Sequence, residues 1–305
     1  MYAAPPEIQT RIFARVPDQF RRKGQSSVWA NLQRHGAKID CFLEGPAFDR
    51  QGNLHVVDIA WGRIFRIDRQ GHFTLLADYD GEPNGLKIHR DGRIFIADHK
   101  HGILVVDAEG GTPAPYLVRP WLEQFKGVND LCFASNGDLY FTDQGQTGLQ
   151  DPSGRVYRLS ADGRLDLVLD RIPSPNGLVL NHDETVLYVA VTRANAVWRV
   201  PLLAGGRTAK VGVFVQLSGG LVGPDGLALD EAGNLAVAHC GLGTVWLFSR
   251  LGEPLARIRS CAGIDTTNVA YGGAGRRTLF ITESETGSIL AAELPVAGRA
   301  MYGEN

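Results

Sequence analysis

The chain has 305 residues, 44% of them hydrophobic, with 31 basic residues against 33 acidic ones. That is ample apolar material for a core, and the near balance of charge excludes the dense basic surface that nucleic acid or an anionic membrane selects. The cysteines, Cys41, Cys132, Cys240 and Cys261, form no C-x-x-C pair and no zinc-spaced run with histidine, so they read as thiols packed in or beside strands. No basic segment followed by an apolar one opens the chain, and no long apolar stretch occurs in it, so the expected compartment is the cytoplasm.

Residues 1–40 stand apart from the rest of the chain. Residues 12–16 read as a strand. Residues 26–33 read as a short helix, capped by Ser26 or Ser27, with Trp29 and Leu32 on one face. The basic run Arg21-Arg22-Lys23 reads as a solvated face. The segment 38–43 leads into the first of six related phrases, where it is expected to end the previous blade of a ring. Each phrase is a polar anchor with a turn, an apolar strand, a polar turn and a second apolar strand. The anchors are Glu44, Asn84, Asn129, Asn176, Asp225 and Asn268, spaced by 40, 45, 47, 49 and 43 residues. A period of about 40–50 residues built from short strands is that of a β-propeller with one four-stranded sheet per blade. The expected fold is therefore all-β, a six-bladed propeller. Blade three carries an insertion at 144–153 that opens at the anchor end. Blade six shows only three strands, 269–271, 278–282 and 288–294, so an N-terminal strand is expected to supply the fourth and close the ring. The expected division is an extension with closing strand over 1–40, the propeller over 41–295 and a tail over 296–305.

Blades are arranged radially, so equivalent positions lie at one height around the axis. The six anchors, all carrying side-chain oxygen, should ring one mouth of the central channel. Carboxylates and carboxamides in a ring suit a hard divalent cation such as calcium or magnesium. Glu44 precedes Gly-Pro, and Glu is not a preferred turn residue, so something other than turn geometry wants its carboxylate. Asn84 and Asn268 read as plain turn residues, whereas Asn176 and Asp225 read equally as turn or ligand. Two carboxylates at one mouth repel and shift each other's pKa. Neither local segment carries an obvious basic partner, which favours a metal. Further candidates end the second strands or lie just after them: Trp61, Asp98, His99, His101, Asp143, Gln144, Gln146, Thr192 and His239. Trp61 would wall an apolar pocket or pack between strands. Asp143 and His239 end apolar strands at the same mouth; His239 is a proton shuttle or a structural cap, and Asp143 a site residue or a turn brace.

The motifs Leu43-Glu44-Gly45-Pro46, Val128-Asn129-Asp130-Leu131, Ser174-Pro175-Asn176-Gly177-Leu178 and Pro224-Asp225-Gly226-Leu227-Ala228 resemble those of the gluconolactonase, regucalcin (senescence marker protein) and luciferin-regenerating enzyme-like family of six-bladed propellers. The resemblance covers residues 40–295. It implies one divalent metal ion, calcium foremost, with zinc, magnesium, manganese or iron as alternatives. It implies that Glu44, Asn176 and Asp225 are ligands, that Asn129 touches the metal or the substrate beside it, and that Asp225 is the general base. The implied activity is hydrolysis of a small-molecule lactone; among the strand-end residues, Trp61, Asp143, Gln146 and His239 are the candidates for substrate binding. Other metal-dependent ester or phosphotriester hydrolysis, non-hydrolytic chemistry on a kept metal, and a non-catalytic binding propeller are the rival readings. One departure stands out: sugar-lactone members carry Arg two residues before the third-blade Asn, and here Gly127 occupies that position.

Overall fold

The second strands of the blades are continuous apolar runs, and all the residues of Leu54–Asp58, Val186–Val191 and Leu235–Cys240 are buried. Such runs arise where a sheet is covered on both faces. In a computed structural model, which describes residues 4–304, each blade is sandwiched between its two neighbours. Blade one is Leu43–Phe48, Leu54–Asp58, Arg63–Ile67 and Phe73–Asp78, paired in that order from the axis outward. Blades two to six begin with the inner strands Pro83–Ile88, Val128–Phe133, Pro175–Leu180, Gly223–Leu229 and Thr266–Gly272. The core is correspondingly divided among the joints between blades. One apolar cluster fills each joint, from Leu86 with Ile64 between blades one and two to Leu43 with Ile289 between blades six and one.

The ring closes through the N-terminal segment, as expected. Arg11–Arg15 pairs antiparallel with Ser288–Glu293 and supplies the fourth strand of blade six. Residues 38–42 form no strand, so the expectation that they end the previous blade is corrected: Arg11–Arg15 already fills that edge. Glu7–Gln9 adds a fifth, parallel strand to blade five along Pro254–Arg259. Arg21 locks the crossing, since its guanidinium donates to the carbonyls of Val16 and Thr286 and pairs with Asp40 at 3.1 Å.

The short helix spans Val28–Gln33, with Ser27 as N-cap accepting from the Ala30 amide at 3.1 Å. Its buried face holds Trp29 and Ala30, packed on Phe42, Ile59 and Ala60. Leu32 is exposed, against the expectation that it shares a buried face with Trp29. That face centres on Ala30, and two residues on a helix turn about 200°. The C-terminal segment lies across the far ends of the inner strands. Gly298 bridges to Asp230, Arg299 donates to the carbonyls of Leu180 and Asn181, and Tyr302 stacks on Phe133. One end of the channel is thereby covered, and the anchors lie at the other. All four cysteines are free thiols. Among the described residues no helix is long and apolar enough to cross a membrane.

Candidate active site

The anchors lie inside the inner strands, not in turns before them. Each sits at a break in register where the inner strand carries one residue more than its partner. Glu44 pairs with Val57 and Ala47 with His55; Val128 pairs with Asp143 and Leu131 with Phe141; Pro224 pairs with His239 and Leu227 with Val237. The same extra residue occurs in the other three blades. A β-bulge of this kind re-aims a side chain out of the pleat. The glycine after the anchor has a matching reason. A Cβ on Gly45 would lie 2.6 Å from the Asn84 carbonyl, one on Gly85 2.8 Å from the Asn129 carbonyl, and one on Gly177 would strike the Asp225 carbonyl. Adjacent inner strands approach too closely for a side chain there, so the Asn-Gly and Asp-Gly pairs that read as turns are close-contact points between blades. Hydroxyls staple the same joints: Thr142 donates to the Asn176 carbonyl at 2.9 Å and Thr192 to the Pro224 carbonyl at 2.8 Å.

Glu44, Asn129, Asn176 and Asp225 are each less than a tenth exposed, so their polar atoms must be satisfied by protein or by a ligand. Burial, reinforced by the charge of Asp130, pushes Glu44 up to about 8. Burial first, then the charges of Glu44 and Asp130, holds Asp225 well above the usual carboxylate range. Two basic groups do approach, although neither belongs to the local segments of Glu44 and Asp225. Lys87 lies 3.6 Å from Asp130 and eases the shift on Glu44, while Arg34, paired with Asp265 at 3.7 Å, does the same for Asp225. Both arrive from other segments, and both carboxyls stay raised in spite of them. The Asn129 amide donates to Gln144 Oε1 at 2.8 Å, and Gln144 in turn donates to Ser174 at 2.9 Å. Asn129 Oδ1 is left buried with no partner. The Asn176 amide donates to Thr192 Oγ1 at 3.2 Å, which leaves its oxygen as the free end. Among the described residues no three His, Cys, Asp or Glu side chains converge, so amide oxygens must complete any metal shell. Two carboxylates and two amide oxygens, one of them orphaned, match the donors a hard divalent cation takes.

Asn268 was expected to be a turn residue only. Its amide instead donates to Glu44 Oε2 at 2.9 Å and to Asp130 Oδ2 at 3.3 Å, bracing Glu44 across the joint between the last and first blades. Asp130 was also missed. It fills the position that is glycine after the anchors of blades one, two, four and five, and that break in the pattern was the available signal.

A cavity of about 440 Å³ opens beside Asn176, lined by Gln144, Gln146, Gln150, Ser174, Asn176, Thr192 and Arg193; Glu44, Asn129 and Asp225 are not on its wall. The blade-three insertion forms one wall, as its position predicts, and Gln33 of the N-terminal helix reaches the rim. The other candidates are not on its wall. Trp61 donates its indole N–H to the Ile39 carbonyl at 3.0 Å and packs beneath the helix. Asp143 accepts from the Gly127 amide at 2.9 Å, as Asp58 does from Phe42 and Asp98 from Glu82, bracing the chain where it enters each blade. His239 is fully buried, and its Nδ1 accepts from the Trp246 indole at 3.2 Å. Burial lowers it to about 4. His99 packs its ring where a Cβ of Gly127 would stand, so no larger residue fits at Gly127. His101 is turned toward the Asp80 carbonyl at 2.6 Å.

Residues 42–285 match the model of the SMP-30/gluconolactonase/LRE-like region. The lactonase drp35 of Staphylococcus saprophyticus is 34% identical over 242 residues, which span 75% of this chain and 72% of the relative. Among solved structures, a gluconolactonase from Xanthomonas campestris superposes with a TM-score of 0.74 at 25% identity, over 93% of this chain and 98% of that one. A calcium-binding regucalcin from Agrobacterium tumefaciens superposes with a TM-score of 0.78 at 22% identity, over 98% of each chain. A family match over residues 42–285, most of the propeller, makes this chain a member of the SMP-30/gluconolactonase/LRE-like family.

Proposed function

We propose that this protein is a lactone hydrolase acting at the anchor mouth, with one divalent cation, calcium foremost, held by Glu44, Asn129, Asn176 and Asp225. The observation that carries this reading is the pair of buried, mutually repelling carboxyls beside an orphaned amide oxygen. Relatives named lactonase and gluconolactonase support the direction of the chemistry. A cation bound there supplies Lewis acidity toward the lactone carbonyl and the charge that develops on its oxygen. The protein's own residues do the rest. Asp225 takes a proton from the attacking water at its carboxylate. The water oxygen bonds to the carbonyl carbon, the ring C–O bond breaks, and Asp225 returns the proton to the departing alkoxide. Gln144 and Thr192 hold the amide nitrogens of Asn129 and Asn176, which would leave both oxygens to the cation. The helix carrying Gln33 and the loop carrying Gln146 narrow the mouth around the substrate.

The test is a panel of sugar, aliphatic and aromatic lactones assayed with protein stripped of metal and resupplied with single cations. Activity should vanish on stripping and return with one cation. Asp225→Asn should lose about 10²- to 10⁴-fold in kcat, the usual worth of a general base. Full activity in the stripped protein, or an Asp225→Asn variant as active as the parent, would overturn the reading.

A further inference from the structure

The mouth cavity carries one charged side chain on its wall, Arg193. It belongs to the short turn Thr192–Ala194 that directly follows the second strand of blade four. Its neighbour Thr192 is fixed at both ends, by the Asn176 amide and by the Pro224 carbonyl, so the position of Arg193 beside the anchors is set by the blade itself. Arg193 makes no hydrogen bond or ion pair among the described residues. Arginines with structural work here are tied: Arg21 to Asp40, Arg63 to Asp58, Arg155 to Glu123, Arg158 to Asp138 and Arg299 to Glu184. Arg193 is itself exposed, as are Arg15, Arg119, Arg171 and Arg250, which likewise make no side-chain hydrogen bond or ion pair among the described residues; what sets Arg193 apart is its place on the wall of this cavity.

The rest of the wall is mainly carboxamide and hydroxyl, with Leu149 and Val222 beside them. Among the described residues Gln33, Gln146 and Gln150 make no side-chain hydrogen bond, and each can both donate and accept. That surface suits the hydroxyls of a polyol better than an aromatic or alkyl group. A divalent cation would balance Glu44 and Asp225, and Arg193 is the charged group left on the cavity wall. The guanidinium fork matches a carboxylate bidentately.

We infer that the substrate is a hydroxylated lactone bearing a carboxylate away from the ring carbonyl, and that Arg193 is the residue that selects it. This rests on the lactonase reading and adds the substrate class to it. The test compares two lactones that differ only in the terminal group, D-glucaro-1,4-lactone (carboxylate) and D-glucono-1,4-lactone (hydroxymethyl), in the wild type, Arg193→Gln and Arg193→Lys. Calorimetric titration of D-glucarate and D-gluconate into the same three proteins gives a readout independent of turnover. The wild type should favour the glucaro-lactone in kcat/KM. Arg193→Gln should lower that preference about ten- to hundred-fold through KM, the worth of a hydrogen bond to a charged group, with Arg193→Lys between them. Preferential binding of D-glucarate should disappear in Arg193→Gln. An equal preference in wild type and Arg193→Gln overturns the inference while leaving the lactonase reading intact. If neither lactone is opened, the lactonase reading falls for this class, and the titrations decide Arg193: D-glucarate binding lost in Arg193→Gln sustains the carboxylate site, and unchanged binding removes it.

Discussion

Glu44 and Asp225 lie where solvent cannot stabilise their charge; the charge of Asp130 raises both, and that of Glu44 raises Asp225 further. A cation must therefore displace protons to bind, because the ligating form is the carboxylate. With Glu44 pushed up to about 8, protons compete with the cation throughout the neutral range. Affinity should rise as pH rises toward about 8 and fall on the acid side. Calcium titrations near neutral pH, in two buffers of different ionisation enthalpy, should report proton release; the same heat in both would count against it. His239 makes the opposite use of burial. Its folded pKa is lowered to about 4 from an ordinary value of 6.5. Between those values the unfolded chain binds a proton that the folded one refuses, so stability is full above about 6.5 and is lost as pH falls toward about 4. The loss amounts to at most about 3 kcal/mol. Urea unfolding of His239→Gln should show a shallower fall over that window than the parent, and parallel curves would refute the assignment.

The inner strand, with its bulge, glycine and anchor, is the unit that turns a repeat into a site. Gly177 shows the constraint, since a Cβ there strikes the backbone carbonyl of Asp225 in the next blade. Gly177→Ala should cost about 1–3 kcal/mol, as overpacking does, and should weaken cation binding more than a substitution on an outer strand. Thermal unfolding and calcium titration of the two variants check this. The sequence carried the period, the six anchors and their common height, because an equivalent position in every blade is a radial fact. It misled at Asn-Gly, since locally that pair signals a turn and the reason for glycine lies in the neighbouring blade. It likewise hid Asn268 as the brace of Glu44, a contact across 224 positions. Lys87 and Arg34 were invisible for the same reason. Asp98 and Asp143 were legible as strand-end acids, and only their bonds to the Glu82 and Gly127 amides show that they brace blade entries.

Across the whole molecule, the joint between blades six and one has no covalent continuity at the axis. It is held by Arg11–Arg15 on blade six, by Arg21, and by the cluster that joins Ala14 to Ile289 and Phe65. The same joint carries the bond from Asn268 to Glu44. Closure and site are therefore coupled. Ala14→Asp places an unpaired charge in that cluster; it should lower Tm by several degrees and weaken calcium binding, although residue 14 touches no ligand. Loss of stability with undiminished calcium affinity would break the coupling.

If four side chains from four blades form one cation site, the cation itself can be located. The direct measurement is a crystal grown with manganese in place of calcium and measured for anomalous scattering. The expected result is a single strong peak on the axis, bound by oxygens of Glu44, Asn129, Asn176 and Asp225 at distances normal for such ligands, and its absence in Asp225→Ala. No peak at saturating manganese, or a peak held by other residues, would contradict a four-blade site.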